Sequence, residues 1–228
     1  FRNPDGGVLR ADDATDNGMA WHLSVDDKAI AGNDQTNNGS KVVRNYAFRI
    51  GKASGDAASL GPTSGTRPKG LTITSNQPVY TWGNYNTTNK IPASIISDAM
   101  NILSGNAPAN MNQTGVPGSG PAANATSVNA AFISGIDDTI PGSGPGYNGG
   151  LQNYPRFHEN WNNITFTYRG SFVSMNNSMH TSGGQNQTRY SAPNRDWNFD
   201  TDFLDAAKLP PLTPHFIYLR QLNFAREY

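Results

Sequence analysis

Residues 70–86 read Gly-Leu-Thr-Ile-Thr-Ser-Asn-Gln-Pro-Val-Tyr-Thr-Trp-Gly-Asn-Tyr-Asn, and this stretch carries the pattern that predicts the fold. Apolar and polar side chains alternate at period two over residues 70–76, which is typical of a β-strand with one buried face. A second apolar run begins at Pro78 after a one-residue joint and ends at glycine and asparagine, which favour turns. The stretch therefore predicts two short strands that meet at a tight corner.

The same pattern recurs along the chain, and polar excursions of unequal length separate its copies. Two of these excursions contain the sequence Pro-Gly-Ser-Gly-Pro, which can form neither a helix nor a central strand. The further strands are predicted, in chain order, at residues 21–25, 41–50, 93–98, 99–104, 128–135 and 164–177.

This organisation predicts an all-β protein, an irregular right-handed parallel β-helix or β-solenoid with long polar loops. In such a fold each strand stacks on its equivalent in the next coil. Asparagine at the corners can then form ladders whose amides satisfy backbone groups. The alternative is an antiparallel β-sandwich, which uses the same short strands but needs hairpin turns. The three Asn-Gly steps, at Asn17, Asn38 and Asn148, do not lie between well-patterned strand pairs.

The chain is predicted to contain two regions. Residues 1–64 form an N-terminal β-rich segment and loop, and residues 65–228 form the solenoid-like domain with a C-terminal cap. The apolar side chains of residues 196–228 would provide this cap, because an open end of a solenoid otherwise invites edge pairing. One short helix is predicted over residues 153–161, where apolar side chains recur at three- and four-residue spacing.

The composition excludes several classes of function. The 228 residues include 17 basic and 17 acidic side chains, and only 15% are charged, against about 25% in an average protein. Zero net charge without a basic run argues against binding to nucleic acid. No apolar stretch is long enough to span a bilayer. A chain without cysteine has no disulfides, no zinc–cysteine sites and no thiol nucleophile.

Six blocks of sequence carry a resemblance to a known family and together cover roughly residues 65–215: 70–86, 92–104, 129–135, 149–161, 168–173 and 193–203. In order, they resemble the β-rich C-terminal domain of bacterial pilus-assembly-type surface proteins, which follows a pilin-like hydrophobic helix. The resemblance implies a location and a structural role, and it implies no activity. The chain departs from the family in lacking that helix, so we expect a processed or truncated fragment, or a relative exported by another route.

Asp137 and Asp138 are the candidates for catalysis, because paired carboxylates on a β-helix can hydrolyse polysaccharides. The Gly-His-Gly and Arg-x-Lys elements of such hydrolases do not occur, and aspartate beside a Gly/Pro loop is expected for turn formation alone. His158 and Glu159 resemble the start of a zinc-protease helix, but Asn162 stands where the second histidine is needed. No catalytic residue is therefore predicted, and His158 is expected to pack against or cap the short helix.

Four aspartates crowd ten residues near the C-terminus: Asp196, Asp200, Asp202 and Asp205. Carboxylate oxygens are the ligands that Ca²⁺ prefers, and Asp196, Asp200 and Asp202 are therefore candidate calcium ligands. The spacing is not that of an EF-hand, and Arg195 could instead pair with one of these carboxylates. No other cofactor is predicted.

Two functions from different classes fit these observations. The first is an extracellular or cell-surface structural and adhesive protein, associated with a pilus or another surface filament, self-associating and without catalysis. Neutral charge favours this function because copies can pack closely without long-range repulsion. The second is a carbohydrate-binding or carbohydrate-cleaving β-helix protein whose partners are glycans. Its candidate contacts are the four tryptophans, Trp21, Trp82, Trp161 and Trp197, although most are expected to be core residues.

Overall fold

A computed structural model describes residues 18–24, 36–37, 40–41, 47–51, 57–61, 67–108, 121–135, 154–175 and 191–213. Within these ranges the chain forms β-strands and two short 3-10 helices, Thr201–Leu204 and Ala206–Lys208. The strands are β1 (Met19–Leu23), β2 (Thr36–Asn37), β3 (Ser40–Lys41), β4 (Phe48–Ile50), β5 (Leu71–Ser75), β6 (Val79–Trp82), β7 (Ala93–Ser97), β8 (Met100–Leu103), β9 (Thr126–Ser134), β10 (Arg156–Phe157), β11 (Thr165–Ser174) and β12 (Asn194–Phe199).

Two parallel sheets contain most of these strands. Sheet 1 has the order β1-β5-β7-β9-β11-β12, and sheet 2 has the order β4-β6-β8-β10. In both sheets each strand pairs in parallel with the strands that precede and follow it in the order. The prediction of a β-rich protein is confirmed. Parallel pairing argues against the antiparallel sandwich, and the antiparallel pair β2–β3 is a small separate ribbon.

The stretch that predicted the fold contributes one strand to each sheet. β5 lies in sheet 1 and β6 in sheet 2, and the next pair, β7 and β8, repeats this arrangement. Leu71 pairs with Ala93 in sheet 1, and Val79 pairs with Met100 in sheet 2. The corner between the strands is therefore a real change of sheet, as the joint before Pro78 predicts.

Strand register aligns similar side chains in columns, a column being the set of residues at one register position across successive strands. One column runs through the interior and is apolar throughout: Trp21, Ile73, Ile95, Phe132 and Phe172. The neighbouring column near the strand ends carries serine in four successive strands: Ser75, Ser97, Ser134 and Ser174. Like side chains thus stack on like side chains, which is how a parallel sheet buries apolar residues while keeping hydroxyls together.

The core lies between the two sheets and becomes aromatic toward the C-terminal strands. Ile73, Ile95 and Phe132 are fully buried, and Ile102 of sheet 2 joins the same cluster. The ring of Tyr168 lies 5.0 Å from that of Phe132 and stacks on Phe172 at 4.3 Å. Such ring pairs add about 0.5–1.5 kcal/mol each beyond the area that they bury.

Asparagine side chains join neighbouring segments of the chain at one corner, where Asn86 follows β6 and Asn129 lies in β9. The Asn86 amide nitrogen donates to the carbonyl oxygens of Ile91 (2.7 Å) and Asn129 (2.9 Å). The Asn129 amide nitrogen donates in turn to the Asn86 carbonyl oxygen at 3.0 Å. Asn86 has φ of 57°, a left-handed conformation that asparagine tolerates better than most residues. The prediction that corner amides satisfy backbone groups is confirmed at this position.

The helix predicted over residues 153–161 is wrong for residues 154–161, the part that the structure describes. Arg156 and Phe157 form β10 and pair with Asn101 and Ile102 of sheet 2. Pairing with β8 satisfies the backbone hydrogen-bonding groups of this extended segment. Phe157 and Trp161 are buried, which accounts for the apolar spacing that resembled a helix.

The C-terminal segment does more than continue sheet 1. After β12 the two 3-10 helices lead to Pro211, whose carbonyl oxygen accepts a hydrogen bond of 2.5 Å from the Thr72 hydroxyl of β5. Residues 200–211 therefore return alongside sheet 1 toward β5, and residues 214–228 of the predicted cap lie outside the described ranges. β1 and β4, which come from residues 1–64, join the two sheets, and the boundary at residue 64 stays a prediction.

Candidate functional site

A buried polar group lies where β8 and β10 end, and we call it the corner cluster: Asn101, Ser104, His158 and Glu159. The Glu159 carboxylate accepts hydrogen bonds from the Ser104 backbone nitrogen (2.7 Å) and hydroxyl (2.5 Å). His158 Nε2 lies 2.8 Å from Asn101 Oδ1, and its ring packs 5.4 Å from the ring of Tyr80. The cluster ties the ends of β8 and β10, which are neighbours in sheet 2.

Burial disfavours the charged form of both titratable members of the corner cluster, and it shifts their pKa values in opposite directions. Burial, together with the nearby charge of Arg156, lowers the pKa of His158 to about 3, so the imidazole is neutral at pH 7. Burial raises the pKa of Glu159, while the hydrogen bonds from Ser104 act in the opposite direction. These bonds replace hydration of the carboxylate, so it can be held inside the protein.

The corner cluster is arranged for structure and not for nucleophilic catalysis. The Ser104 hydroxyl is bound by Glu159, while Nε2 of His158 is directed at Asn101. A serine nucleophile needs a histidine positioned to take its proton, and the Ser104 hydroxyl is committed to a carboxylate instead. The prediction that His158 is a packed side chain agrees with its burial, although the described residues around it form no helix.

The candidate calcium ligands are paired with three basic side chains, Lys90, Arg169 and Lys208. Lys90 Nζ lies 2.8 Å from Asp200 Oδ1 and 2.6 Å from Asp202 Oδ2, where it occupies the position that a cation would take between them. Asp196 lies on β12 and pairs with Arg169 at 3.0 Å, not with Arg195. The Lys90 and Lys208 bonds lower the pKa of Asp202, and the Arg169 bond lowers that of Asp196. In the described part of the chain, no three acidic or histidine side chains form a metal-binding group.

The sequence analysis also named an aspartate pair and four tryptophans as candidates. Asp137 and Asp138 lie outside the described residues. Trp82 and Trp161 are buried and Trp197 packs against the core, so three of the four tryptophans are structural. Trp21 is 43% exposed, and it is the tryptophan among them that a partner could contact.

Trp21 belongs to the feature that we regard as the candidate functional site, the two open ends of one set of columns. β1 pairs with β5 on one side, and no described strand pairs with its other side, which we call the first edge. β12 covers β11 only as far as Gly170, so Ser171–Ser174 have no described partner on that side, which we call the last edge.

The same columns end at both edges. Four columns connect the first edge to the last edge, and their end residues are Ala20 and Ser171, Trp21 and Phe172, His22 and Val173, and Leu23 and Ser174. Apolar side chains are exposed at each: Trp21 at the first, and Val173 (45%) with the adjoining Met175 (68%) at the last. Sequence reasoning missed this site because the signal is the alignment of strands far apart in the chain, which requires the register.

No helix in the described part of the chain is both long enough and apolar enough to cross a membrane. Comparison with known proteins found no matching family model, no matching curated protein and no matching solved structure. The resemblance to pilus-assembly-type surface proteins therefore stays a prediction.

Proposed function

We propose that this protein is an extracellular structural and adhesive domain that self-assembles within a pilus or another surface filament and has no catalytic activity. We further propose that its fold is a right-handed parallel β-helix. The observation that carries the proposal is the pair of uncharged sheet edges that terminate the same columns at opposite ends of sheet 1. Unpaired edges of this kind are templates for another chain.

The strand order supports the β-helix. Successive strands stack in chain order in both sheets, and from β1 to β11 the chain passes through sheet 2 each time before it returns to sheet 1. Isolated parallel bridges join a third line of residues, Ala57, Tyr85 and Val128. Crossover connections between parallel strands are right-handed in about 98% of known cases, which is the reason for the proposed hand.

The distribution of charge supports self-association. The chain has no net charge, β1 contains no charged residue, and neither does Ser171–Ser174. The ion pairs of Lys90 and Arg169 neutralise aspartates next to sheet 1. Copies can therefore approach without long-range repulsion, and salt would weaken their association little.

The internal use of the polar side chains supports a role without catalysis. His158, Glu159 and Ser104 are the residue types that hydrolytic sites use, and each is buried in a contact that joins coils. Asn86, which begins a glycosylation sequon, is likewise committed to backbone groups of the corner.

Sedimentation velocity and electron microscopy of the purified chain test the proposed function. We expect concentration-dependent association and elongated particles, and we expect antibodies against the chain to label filaments on intact cells of its source. A strictly monomeric protein that cleaves a polysaccharide would contradict the proposal.

The carbohydrate-binding alternative rests on one observation, the exposed indole of Trp21. Indole faces stack on sugar rings because both surfaces are apolar and flat. Titration of polysaccharides with tryptophan fluorescence tests this function. A saturable change that is lost in Trp21→Ala, with the protein still monomeric, would favour it over assembly.

A further inference from the structure

The described C-terminal segment runs from the last strands of sheet 1 back toward the first. The Asp200 backbone nitrogen donates to the Gly170 carbonyl oxygen of β11 at 3.1 Å, and Lys90, which precedes β7, bonds to the Asp200 carboxylate at 2.8 Å. Further along, the Pro211 carbonyl oxygen accepts the hydrogen bond from Thr72 of β5. In the order of sheet 1, the strand that follows β5 in this direction is β1.

Pro211 already lies against the residue that begins the pairing of β1 with β5. A Cβ on Gly70 would lie 2.7 Å from Pro211 Cδ, so the proline ring packs on the Gly70 backbone. The Gly70 carbonyl oxygen accepts a hydrogen bond from the Met19 backbone nitrogen of β1 at 2.9 Å. Pro214 comes three positions after Pro211, which is at most about 11 Å of chain. Residues 214–228 therefore begin close to β1.

We propose that residues 214–228 dock on the first edge, pair with the open side of β1 and cover the indole of Trp21. The predicted C-terminal cap would then close the end of sheet 1 that is opposite to β12, the strand that it follows. This inference goes beyond the proposed function, because it concerns one isolated chain. Its consequence for assembly rests on that function, since another copy could bind the first edge only after the segment had left it.

The burial of sheet 1 stops short of β1. Trp21 is 43% exposed, whereas Ile73, which pairs with it in the same column, is 1% exposed. On the opposite face Ala20 is exposed, whereas its partner Thr72 is fully buried and bonded to Pro211. The C-terminal segment thus covers β5, and one strand spacing of about 4.8 Å separates β5 from β1.

The backbone of β1 offers hydrogen-bonding groups to an extended segment. The Met19 backbone nitrogen donates toward β5, and successive peptide groups of a strand point to opposite sides. The N–H groups of Ala20 and His22 therefore point away from β5, toward the first edge. Native proteins commonly cover such an edge with another part of the chain.

The sequence of residues 214–228 suits this position. Residues 216–219 read Phe-Ile-Tyr-Leu, a run of apolar and aromatic side chains of the kind found in strands, and such side chains could pack against Trp21. No proline follows Pro214 in the segment, so its backbone N–H groups are available for pairing. The arginines and the glutamate of the segment all come after this run.

The two segments that adjoin β1 in the chain suit the first edge less well. Residues 1–17 contain six charged side chains and residues 25–35 contain four, and neither has more than three consecutive apolar residues. Charged side chains are what native proteins place at strand edges to prevent pairing. The uncharged first edge therefore favours residues 214–228 as its occupant.

Hydrogen exchange of the full chain, followed by NMR, tests the docked segment at single amides. In the monomeric protein, the Ala20 and His22 amide protons should exchange slowly, although no described strand pairs with that side of β1. Phe216→Asp with Ile217→Asp, which we call the edge variant, places a charge on each face of the apolar run. It should raise both exchange rates at least about tenfold. The buried Ile73 amide should stay protected in both proteins and shows that the fold is retained.

A matched control adds the same charges elsewhere in the C-terminal segment. Ala206→Asp with Ala207→Asp changes two exposed residues of a 3-10 helix and should leave both β1 amides protected. Fast exchange of these amides in the wild type would overturn the proposal. Slow exchange that survives in the edge variant would also overturn it, because another part of the chain would then cover β1. Protection that appears only at concentrations where the chain associates would assign the edge to a second copy and overturn it too.

Fluorescence quenching of Trp21 gives a second readout. The difference in acrylamide quenching between the wild type and Trp21→Phe isolates this indole from the other three tryptophans. Trp21 should be quenched weakly in the wild type and strongly in the edge variant, because the docked segment shields it. Equal quenching of Trp21 in the two proteins would contradict the proposal.

Sedimentation velocity separates this inference from the proposed function. If the first edge serves assembly, the edge variant should associate at lower concentrations than the wild type, since its first edge is free. Loss of amide protection without a change in association would leave the docked segment standing and overturn the use of the first edge in assembly.

Discussion

The Tyr168 hydroxyl lies over the backbone of Gly170, in the space that a side chain at residue 170 would need. From there it shares its proton between the carbonyl oxygens of Ala130 (2.6 Å) and Ser171 (2.9 Å). Burial raises the pKa of this phenol, so it donates and does not ionise. The missing side chain of the glycine thus lets the tyrosine bind backbone groups of two neighbouring strands, β9 and β11.

Replacing Gly170 by alanine should destabilise the protein by about 3 kcal/mol. The added Cβ would overlap both the Ala130 carbonyl oxygen and the Tyr168 hydroxyl, and the first of these belongs to backbone that cannot move freely. Urea unfolding followed by fluorescence measures the change. Gly105→Ala is the matched control, because its Cβ would meet only the flexible side chain of Asn124, at 3.3 Å. A cost above about 1 kcal/mol there would contradict the steric explanation.

Replacing Asn86 by glycine should cost about 3 kcal/mol, because three side-chain hydrogen bonds in the corner are lost at about 1 kcal/mol each. Glycine keeps the left-handed backbone, so the measurement isolates the amide. Asn89→Gly is the control, since Asn89 has φ of 50° but is exposed. We expect it to leave the free energy of unfolding within about 0.5 kcal/mol of the wild type. Equal losses for both variants would show that backbone conformation, and not the ladder, stabilises the corner.

The buried imidazole of His158 should make the protein less stable in acid. Its pKa is lowered from 6.5 to about 3 in the folded state. Between these pH values the unfolded chain binds a proton at this residue and the folded chain does not. This contribution is complete above pH 6.5 and is lost progressively as the pH falls toward 3, with an upper limit on the order of 4 kcal/mol. Glu159 acts in the opposite direction, because its raised pKa favours proton binding by the folded state.

His158→Gln removes the titration but keeps a side chain that can bind Asn101. The unfolding free energy of this variant should fall less between pH 7 and pH 4 than that of the wild type. Parallel denaturation curves at four pH values measure the difference. Identical pH profiles would show that His158 does not control acid sensitivity.

Lys90 should take the place of calcium at the aspartate cluster. Its pKa is raised overall, because bonds to Asp200 and Asp202 outweigh burial, so the ion pair is complete at neutral pH. We expect Lys90→Met to lose about 1–3 kcal/mol of stability, since the Asp200 side chain is only 7% exposed and would lack its cation. Lys208→Met, which removes a more exposed partner of Asp202, should cost below about 1 kcal/mol.

Calcium addition completes this test. The melting temperature of the wild type should not respond to millimolar calcium or to a chelator, because Lys90 lies between the two carboxylates. A rise of several degrees with calcium, reversed by the chelator, would restore Asp196, Asp200 and Asp202 as calcium ligands.

Strands whose own side chains alternate could be predicted from the sequence. β5 alternates apolar and polar side chains from Leu71 to Thr74 and is followed by turn-forming residues, so local chemistry specifies it. β12 has the sequence Asn-Arg-Asp-Trp-Asn-Phe, which no local rule assigns to a strand. It is extended because β11 offers it six paired positions. The sequence of β10 resembled a helix because its extended structure depends on pairing with a neighbouring strand and not on its own side-chain pattern.

The sequence alone determined that the protein is rich in β-strands, that its corners are formed by asparagine, proline and glycine, and that its surface is neutral. These properties depend on side-chain periodicity, turn preference and charge, which are local. Only the tertiary structure decided that the sheets are parallel, that Lys90 lies between two aspartates, and that Trp21 and Phe172 end one column. These relationships depend on register between residues that the chain separates widely, and the register is set by which strands bury their apolar faces together.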